Sequence, residues 1–436
     1  MKKTYSIVSL LLVLLSACNN ADAFLEEASN GSTTKSNPML RTESDAIDIA
    51  LANLSALDNA PAPTSRTTPR TIKNVSVIGA NGTKSRSGFG LDTLLYVVNF
   101  DNNNGFAIVP APKQATSILA LAEYGNYDVD QGSECPGLEQ YMLLAREYAL
   151  ETLSSTMTDE ITKSRSFEID TNLKPYDPDP NKQPWETKEE ETSTIHYYIP
   201  PRVTLGWGQH GTTYAKYAKN GYCGCGPLAI GLAMTYFHQP EILKITFDNN
   251  KHSLMLNWDR INTHTGSRSC GCGDAADTNH ETIAQVLRQI GEDADANYNK
   301  PDGTSISWSK APSVFKKYGF NVSDIHPYKS RCTLTMQEGL YAMCGSTATD
   351  DPINPDGCHM WLLVGVKQEK VKHTVYYRKY GSDKWEIMSQ GTYEKVSNYH
   401  NWGWNGLGNG WYDDCVYNTK LGNYNQYVQY FSIYKK

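Results

Sequence analysis

The segment GYCGCGPLAIGLAMTYFHQP, Gly221 to Pro240, sets two cysteines one residue apart directly before an apolar run. Pro227 suits the first turn of a helix, where its missing N–H leaves no bond unmade. Leu228, Ala229, Leu232, Ala233, Tyr236 and Phe237 then recur at helical spacing until His238-Gln239-Pro240 stops the pattern. Cys225 therefore falls at a helix N-terminus. The helix dipole and the unsatisfied N–H groups there favour a thiolate, the form in which cysteine attacks. Cys223 lies in the approach loop and gains less. The pair also fits a metal clip or half of a disulfide framework.

A thiolate nucleophile needs a base and a group that orients the base. His359, in DGCHMWLLVGV, opens a strand-like apolar run that would hold the ring rigidly at a sheet edge. The same placement also suits a hydrogen-bonded structural histidine. Asn401, in YHNWGWNGLGNGWY, lies in a glycine-rich hairpin, where its side chain can accept from the histidine ring while Trp402 shields the pair from water. Gln209 precedes Cys225 by sixteen positions and offers an amide donor that, with the Cys225 N–H, can form an oxyanion hole.

Together these stretches resemble the streptopain (streptococcal pyrogenic exotoxin B) family of papain-like cysteine peptidases. The matching elements are Trp207-Gly208-Gln209, Gly224-Cys225, Tyr236 to Pro240, His359-Met360-Trp361, Asn401-Trp402-Gly403-Trp404-Asn405-Gly406 and Gly410-Trp411-Tyr412. The helix and loop ETIAQVLRQIGEDADANYNKPDGTSIS also fits, and YVVNFDNNNGFAIVPA resembles the family's inhibitory prosegment. The resemblance implies an α+β fold: a papain-like catalytic domain preceded by a small α+β prodomain that blocks the cleft. It implies Cys225 as nucleophile, His359 as general base and acid, Gln209 as oxyanion donor, and Asn401 and Trp402 as the residues that position and shield His359. Protein or peptide substrates and the chain's own prodomain would be the partners, with no cofactor and no metal. Cys358 stands where the family has glycine, and Met360 where it has alanine; Gly226 and Pro227 are also unusual.

The elements that must position these residues divide the chain into four parts: 1–17, 18–165, 166–200 and 201–436. Lys2 and Lys3 precede an apolar run that ends at LSAC, which reads as a lipoprotein signal with Cys18 lipidated. The expected location is then the outer membrane or cell surface, with a membrane contact through Cys18. A helix is expected over Glu43 to Leu57, a hairpin over Thr93 to Ala111 and a second helix over Cys135 to Leu153. Residues 166–200 are polar and proline-rich and read as a cleavable linker, with a cut expected between about Lys163 and Lys188, where Arg165 and Lys182 are further basic sites.

The 436 residues are 39% hydrophobic and 20% charged, ordinary for a globular protein. A formal net charge of -7 with no basic block argues against nucleic acid as partner. The remaining cysteines, Cys135, Cys223, Cys270, Cys272, Cys332, Cys344, Cys358 and Cys415, favour disulfides over a thiolate metal site in an exported chain. Two other readings stay open: a catalytically idle surface lipoprotein that binds polypeptide or glycan, and a thiolate metal-binding protein.

Overall fold

A computed structural model describes residues 40–58, 70–79, 93–156, 185–249, 251–266, 278–301, 303–328, 336, 339–346, 358–379, 382–418 and 428–436. The expected lipoprotein signal, Cys18, and the basic sites at Lys163, Arg165 and Lys182 lie outside these residues. Residues 38–436 belong to one compact unit.

The N-terminal part begins with α1 (Glu43–Asp58), followed by β1 (Ile72–Ile78), β2 (Leu95–Phe100), β3 (Phe106–Pro110), β4 (Ala120–Ala122) and α2 (Pro136–Thr156). The expected hairpin is present, with Leu95 opposite Pro110 and Asn99 opposite Phe106. Its turn uses Asn102 and Asn103 at positive φ, which asparagine tolerates better than most residues. After β5 (Trp185–Ile199) come α3 (Thr212–Ala215), α4 (Cys225–Phe237), the hairpin β6 (Ile242–Ile245) and β7 (His252–Met255), α5 (Trp258–Asn262), α6 (Thr278–Asp293) and α7 (Ala311–Lys317). The chain then enters β8 (Phe320–Val322), β9 (His326–Pro327), β10 (Gly339–Ser346), β11 (Cys358–Lys379), β12 (Glu386–Asn401), β13 (Gly410–Asp413) and β14 (Val428–Lys435). The fold is α+β.

Apart from β6 and β7, the described strands form one antiparallel sheet in the order β1-β2-β3-β4-β13-β12-β11-β10-β14-β8, with β5 on β11 and β9 on β14. β4 joins the N-terminal strands to the rest by pairing Ala120 with Tyr412 and Ala122 with Gly410. Two cores lie on its two faces. Alternation along β11, with a bulge between Leu363 and Gly365, sends Trp361, Leu363 and Val366 into the core shared with α1 and α2. Met360, Leu362 and Val364 go into the core built on α4, α6 and α7. A strand buried on both faces reads as a continuous apolar run, which explains MWLLVGV.

The linker expectation fails over 185–199. These residues form β5, paired with β11 from Trp185 opposite Lys379 to Ile199 opposite Val366. The segment is polar because it is an edge strand whose carboxylates are used as partners, not because it lacks structure. Lys188 sits opposite Tyr376 within this ladder, so it is not an open cleavage site.

Glu189 of β5 holds the start of the N-terminal part. It accepts from Arg41 Nε at 3.1 Å and from an Arg41 guanidinium nitrogen at 2.8 Å, and its Oε2 lies 2.9 Å from His373 Nε2. The same guanidinium donates to the carbonyls of Pro110 and Pro112 at 2.7 and 2.8 Å. Nearby, Ser117 donates to Glu191 at 2.9 Å and Lys395 donates to the Ile118 carbonyl at 3.2 Å. Burial works to raise the Glu189 carboxyl, but Arg41 and His373 outweigh it and hold the group at about 2.

Removing one partner of a buried ion pair strands the other, so Arg41→Ala should destabilise the full chain by about 3–5 kcal/mol in denaturant unfolding. Because the Glu189 pKa is depressed, its contribution is present above the usual value of 4.5 and disappears as pH falls from there toward about 2. The stability gap between wild type and Arg41→Ala should narrow over that window.

Candidate active site

Cys225 is the first residue of α4, and Gly224 before it adopts φ +92. That turn leaves the leading N–H groups of the helix at the cysteine. A Cβ on Gly224 would meet the Thr304 carbonyl at 2.6 Å, so only glycine fits the approach. Gln209 is tied to the loop ahead of α4, where the Cys223 N–H donates to the Gln209 carbonyl at 2.8 Å. The Gln209 side chain is buried, and its Nε2 has no hydrogen-bond partner among the described residues. A buried amide donor without an acceptor is costly to maintain, and a reacting oxygen in that position would satisfy it.

His359 is the second residue of β11, opposite Gly345, and is 2% exposed. Its Nε2 lies 2.9 Å from the Trp402 carbonyl oxygen. A carbonyl only accepts, so Nε2 carries the proton and Nδ1 is the basic nitrogen. The ring stacks at 6.0 Å and 13° on Trp361 and meets Trp404 edge-on at 5.9 Å. Burial, opposed only by the Trp402 carbonyl, drops the imidazole to about 4.

The structure corrects the expected role of Asn401 as the direct partner of His359. His359 shares a face of the sheet with Trp361, whereas Asn401 pairs with Leu362 and points to the other side. Its Nδ2 donates to the carbonyls of Val203 and Leu205 at 3.1 and 2.9 Å. The backbone of Trp402 supplies the acceptor instead, and the Trp402 indole packs in the wall on the same face as His359.

The remaining motif loops meet here as well. The Asn405 N–H donates to the Trp207 carbonyl at 3.0 Å, and the Asn405 amide closes over Gly208, where a Cβ would lie 2.0 Å from Asn405 Oδ1. Leu228 in the first turn of α4 packs against Gly403. Met360 is buried in the second core, so its departure from alanine is turned away from His359.

Sequence reasoning missed what covers the site. Gly137, in the first turn of α2, lies so close to the pair that a Cβ there would sit 2.8 Å from His359 Cδ2 and 2.7 Å from Trp402 Cε3. One turn on, Tyr141 reaches the carbonyls of Leu119 and Asp413 and packs edge-on against Tyr412 at 4.7 Å and His400 at 6.2 Å. His400 is fully buried, both of its ring nitrogens lack hydrogen-bond partners among the described residues, and burial lowers it to about 3. Residues 137 and 141 lie on one helix face, so α2 lays a single stripe over both imidazoles. The Cys-Pro-Gly start was legible as a helix start, but nothing local in it names its long-range contact.

Disulfides were expected among the other cysteines. None of Cys135, Cys223, Cys225, Cys344 and Cys415 is in one. Cys135 and Cys223 are fully buried and serve as small apolar side chains; burial raises the Cys135 thiol to about 12. Cys270, Cys272 and Cys332 lie outside the described residues.

Comparison with known proteins gives the covering segment an assignment. Residues 16–149 match the family model of the Spi protease inhibitor. The matched stretch includes Gly137, the residue seated against His359. A fragment of Prevotella intermedia prointerpain A is similar in structure, with 15% identity and a TM-score of 0.48, over 84% of this chain and 100% of that one. No curated protein matches the chain.

Gly137→Ala should weaken the seat of α2 by about 1–3 kcal/mol, because the added methyl overpacks two buried rings. Cys135, buried at the N-terminus of α2, should then react roughly five- to a hundredfold faster with a pyridyl disulfide in the full chain. Acid should act similarly. Both imidazoles are lowered from 6.5, to about 4 and about 3, so the covered state loses stability as pH falls below 6.5. Cys135 labelling, corrected for intrinsic thiol reactivity, should rise by up to about tenfold per pH unit for each uncovered histidine. His400→Phe should remove that histidine's share.

Proposed function

We propose that this chain is the zymogen of a cysteine endopeptidase, exported and surface-anchored, whose N-terminal part inhibits it. The observation that carries the reading is the seat of Gly137 on His359 and Trp402, since it sets an inhibitor-matching segment on the residues that a Cys-His peptidase would use. In the covered state His359 is neutral and dry. A thiolate–imidazolium pair needs the ring charged, so lifting α2 both opens the site and lets the ring charge.

Once α2 has lifted, the Cys225 thiolate bonds to the scissile carbonyl carbon. The Cys225 N–H and Gln209 Nε2 receive the resulting oxyanion. The imidazolium of His359 passes its Nδ1 proton to the leaving amine, the C–N bond breaks and a thioester remains. Water then attacks the thioester carbon with Nδ1 taking its proton. The tetrahedral intermediate collapses, releasing a carboxylic acid and the cysteine sulfur. Throughout, Nε2–H stays on the Trp402 carbonyl, which fixes the tautomer and the ring plane.

Cleavage of the chain between β5 and α2 would free the N-terminal part yet leave β5, with Glu189 and Glu191, on the catalytic side. In the processed chain, Cys225→Ala should abolish peptide hydrolysis while preserving the fold. Gln209→Ala should lower kcat by roughly 10²–10³-fold, the loss expected for one oxyanion donor. Full activity in Cys225→Ala would refute the reading, and an unchanged rate in Gln209→Ala would remove that residue from the site. A full-length chain as active as the processed one would refute the inhibitory role of residues 40–156.

A further inference from the structure

The carbonyl that orients His359 belongs to a peptide unit with its own partners. The Trp402–Gly403 peptide accepts from His359 Nε2 at its oxygen, and its N–H, on Gly403, donates to Asn401 Oδ1 at 3.2 Å. One bond earlier, the Trp402 N–H donates to Asn409 Oδ1 at 2.9 Å. The Trp402 indole N–H donates to the Gly408 carbonyl at 3.1 Å, and the Asn409 N–H to the Gly406 carbonyl at 3.0 Å. Asn401 and Asn409 are both buried. Gly403 takes φ +66, the left-handed turn that points the carbonyl toward the ring, and a side chain there would be strained.

We infer that Asn401 and Asn409 clamp the Trp402 backbone from either side, and that Asn409 is a positioning residue for His359 acting through the Trp402 peptide. Each asparagine oxygen takes one backbone N–H, so rotation of the Trp402–Gly403 peptide away from the ring breaks a buried hydrogen bond. The donated bond at Gly403 N–H also polarises the amide and makes its carbonyl a better acceptor for Nε2–H. The group that would normally be a side chain in a Cys-His-Asn arrangement is here a peptide, held by Asn401 below and by Asn409 from the far end of the loop. The inference deepens the peptidase reading and rests on it for its kinetic arm alone.

The test compares Asn409→Leu, which has no acceptor, with Asn409→Asp, which keeps one in place. In the full chain carrying Cys225→Ala, histidine ¹⁵N spectra read the tautomer of His359 without any need for activity. The Nε2–H form should dominate in the parent and in Asn409→Asp, and give way to a tautomer mixture in Asn409→Leu. In the processed chain, Asn409→Leu should lower kcat roughly tenfold to a hundredfold, the scale of a small misplacement of a reacting group, with KM within about twofold. The alkaline limb of its pH profile should move to lower pH, because a poorly aligned carbonyl supports the imidazolium less. Asn409→Asp should restore both. An unchanged His359 tautomer in a folded Asn409→Leu chain overturns the inference, as does an equal loss in the leucine and aspartate variants. A processed wild type without hydrolysis would refute the peptidase reading, leaving the tautomer measurement to decide the clamp.

Discussion

Gly410 to Tyr412 presents its backbone groups at the margin of a sheet that already carries β12, β11, β10 and β14, and β4 takes them up. The inhibitor-matching strands thereby become an extension of the same hydrogen-bonded surface. Close approach is built into that seam: a Cβ on Gly410 would lie 2.4 Å from the Leu121 carbonyl. With β4 fixed, α2 has one place to lie, across the aromatic face formed by Trp361, His400, Trp402 and Tyr412. The Arg41–Glu189–His373 group then anchors the far end of the N-terminal part to the β5–β11 ladder. Backbone pairing sets the register, and ion pairing sets the reach.

The aromatic wall has two effects that belong together. It dries His359 and His400, so neither carries charge while α2 is down. It also gives α2 an apolar bed in which a glycine, rather than a side chain, makes the closest approach to the ring. In the proposed zymogen, latency would come from desolvation as much as from obstruction. Gln209 is set differently, with a buried amide nitrogen that has no acceptor among the described residues.

Much of this was legible in residues alone. The apolar period after Cys225 marked α4, the helical recurrence of Ile47, Ala50, Leu51 and Leu54 marked α1, and the Asn-rich turn between two apolar runs marked β2 and β3. His359 ahead of an unbroken apolar run was legible as the start of a doubly buried strand. The misreadings share one cause, which is contact over long sequence distance. β5 looked like a linker because its carboxylates are balanced by Arg41 and Ser117, far away in sequence. Asn401 looked like the partner of His359 because type and order fit. Which face of β12 it occupies depends on its pairing with Leu362, and order cannot reveal that. The cysteines looked like a disulfide set because the chain reads as exported, yet Cys135 and Cys223 are small apolar fillers of two cores.

The shortness of β13 has its own consequence. An open strand margin invites pairing with another chain, and proteins limit that hazard by keeping such margins brief or covered. Here the cover is β4, and the strand beneath it spans only Gly410 to Asp413. A chain that sheds its N-terminal part would bare a template barely one turn of the ladder long. Gly410 lies at one end of that template and the buried Asp413, near Lys395, at the other. So small a margin gives a second molecule little backbone to zip onto.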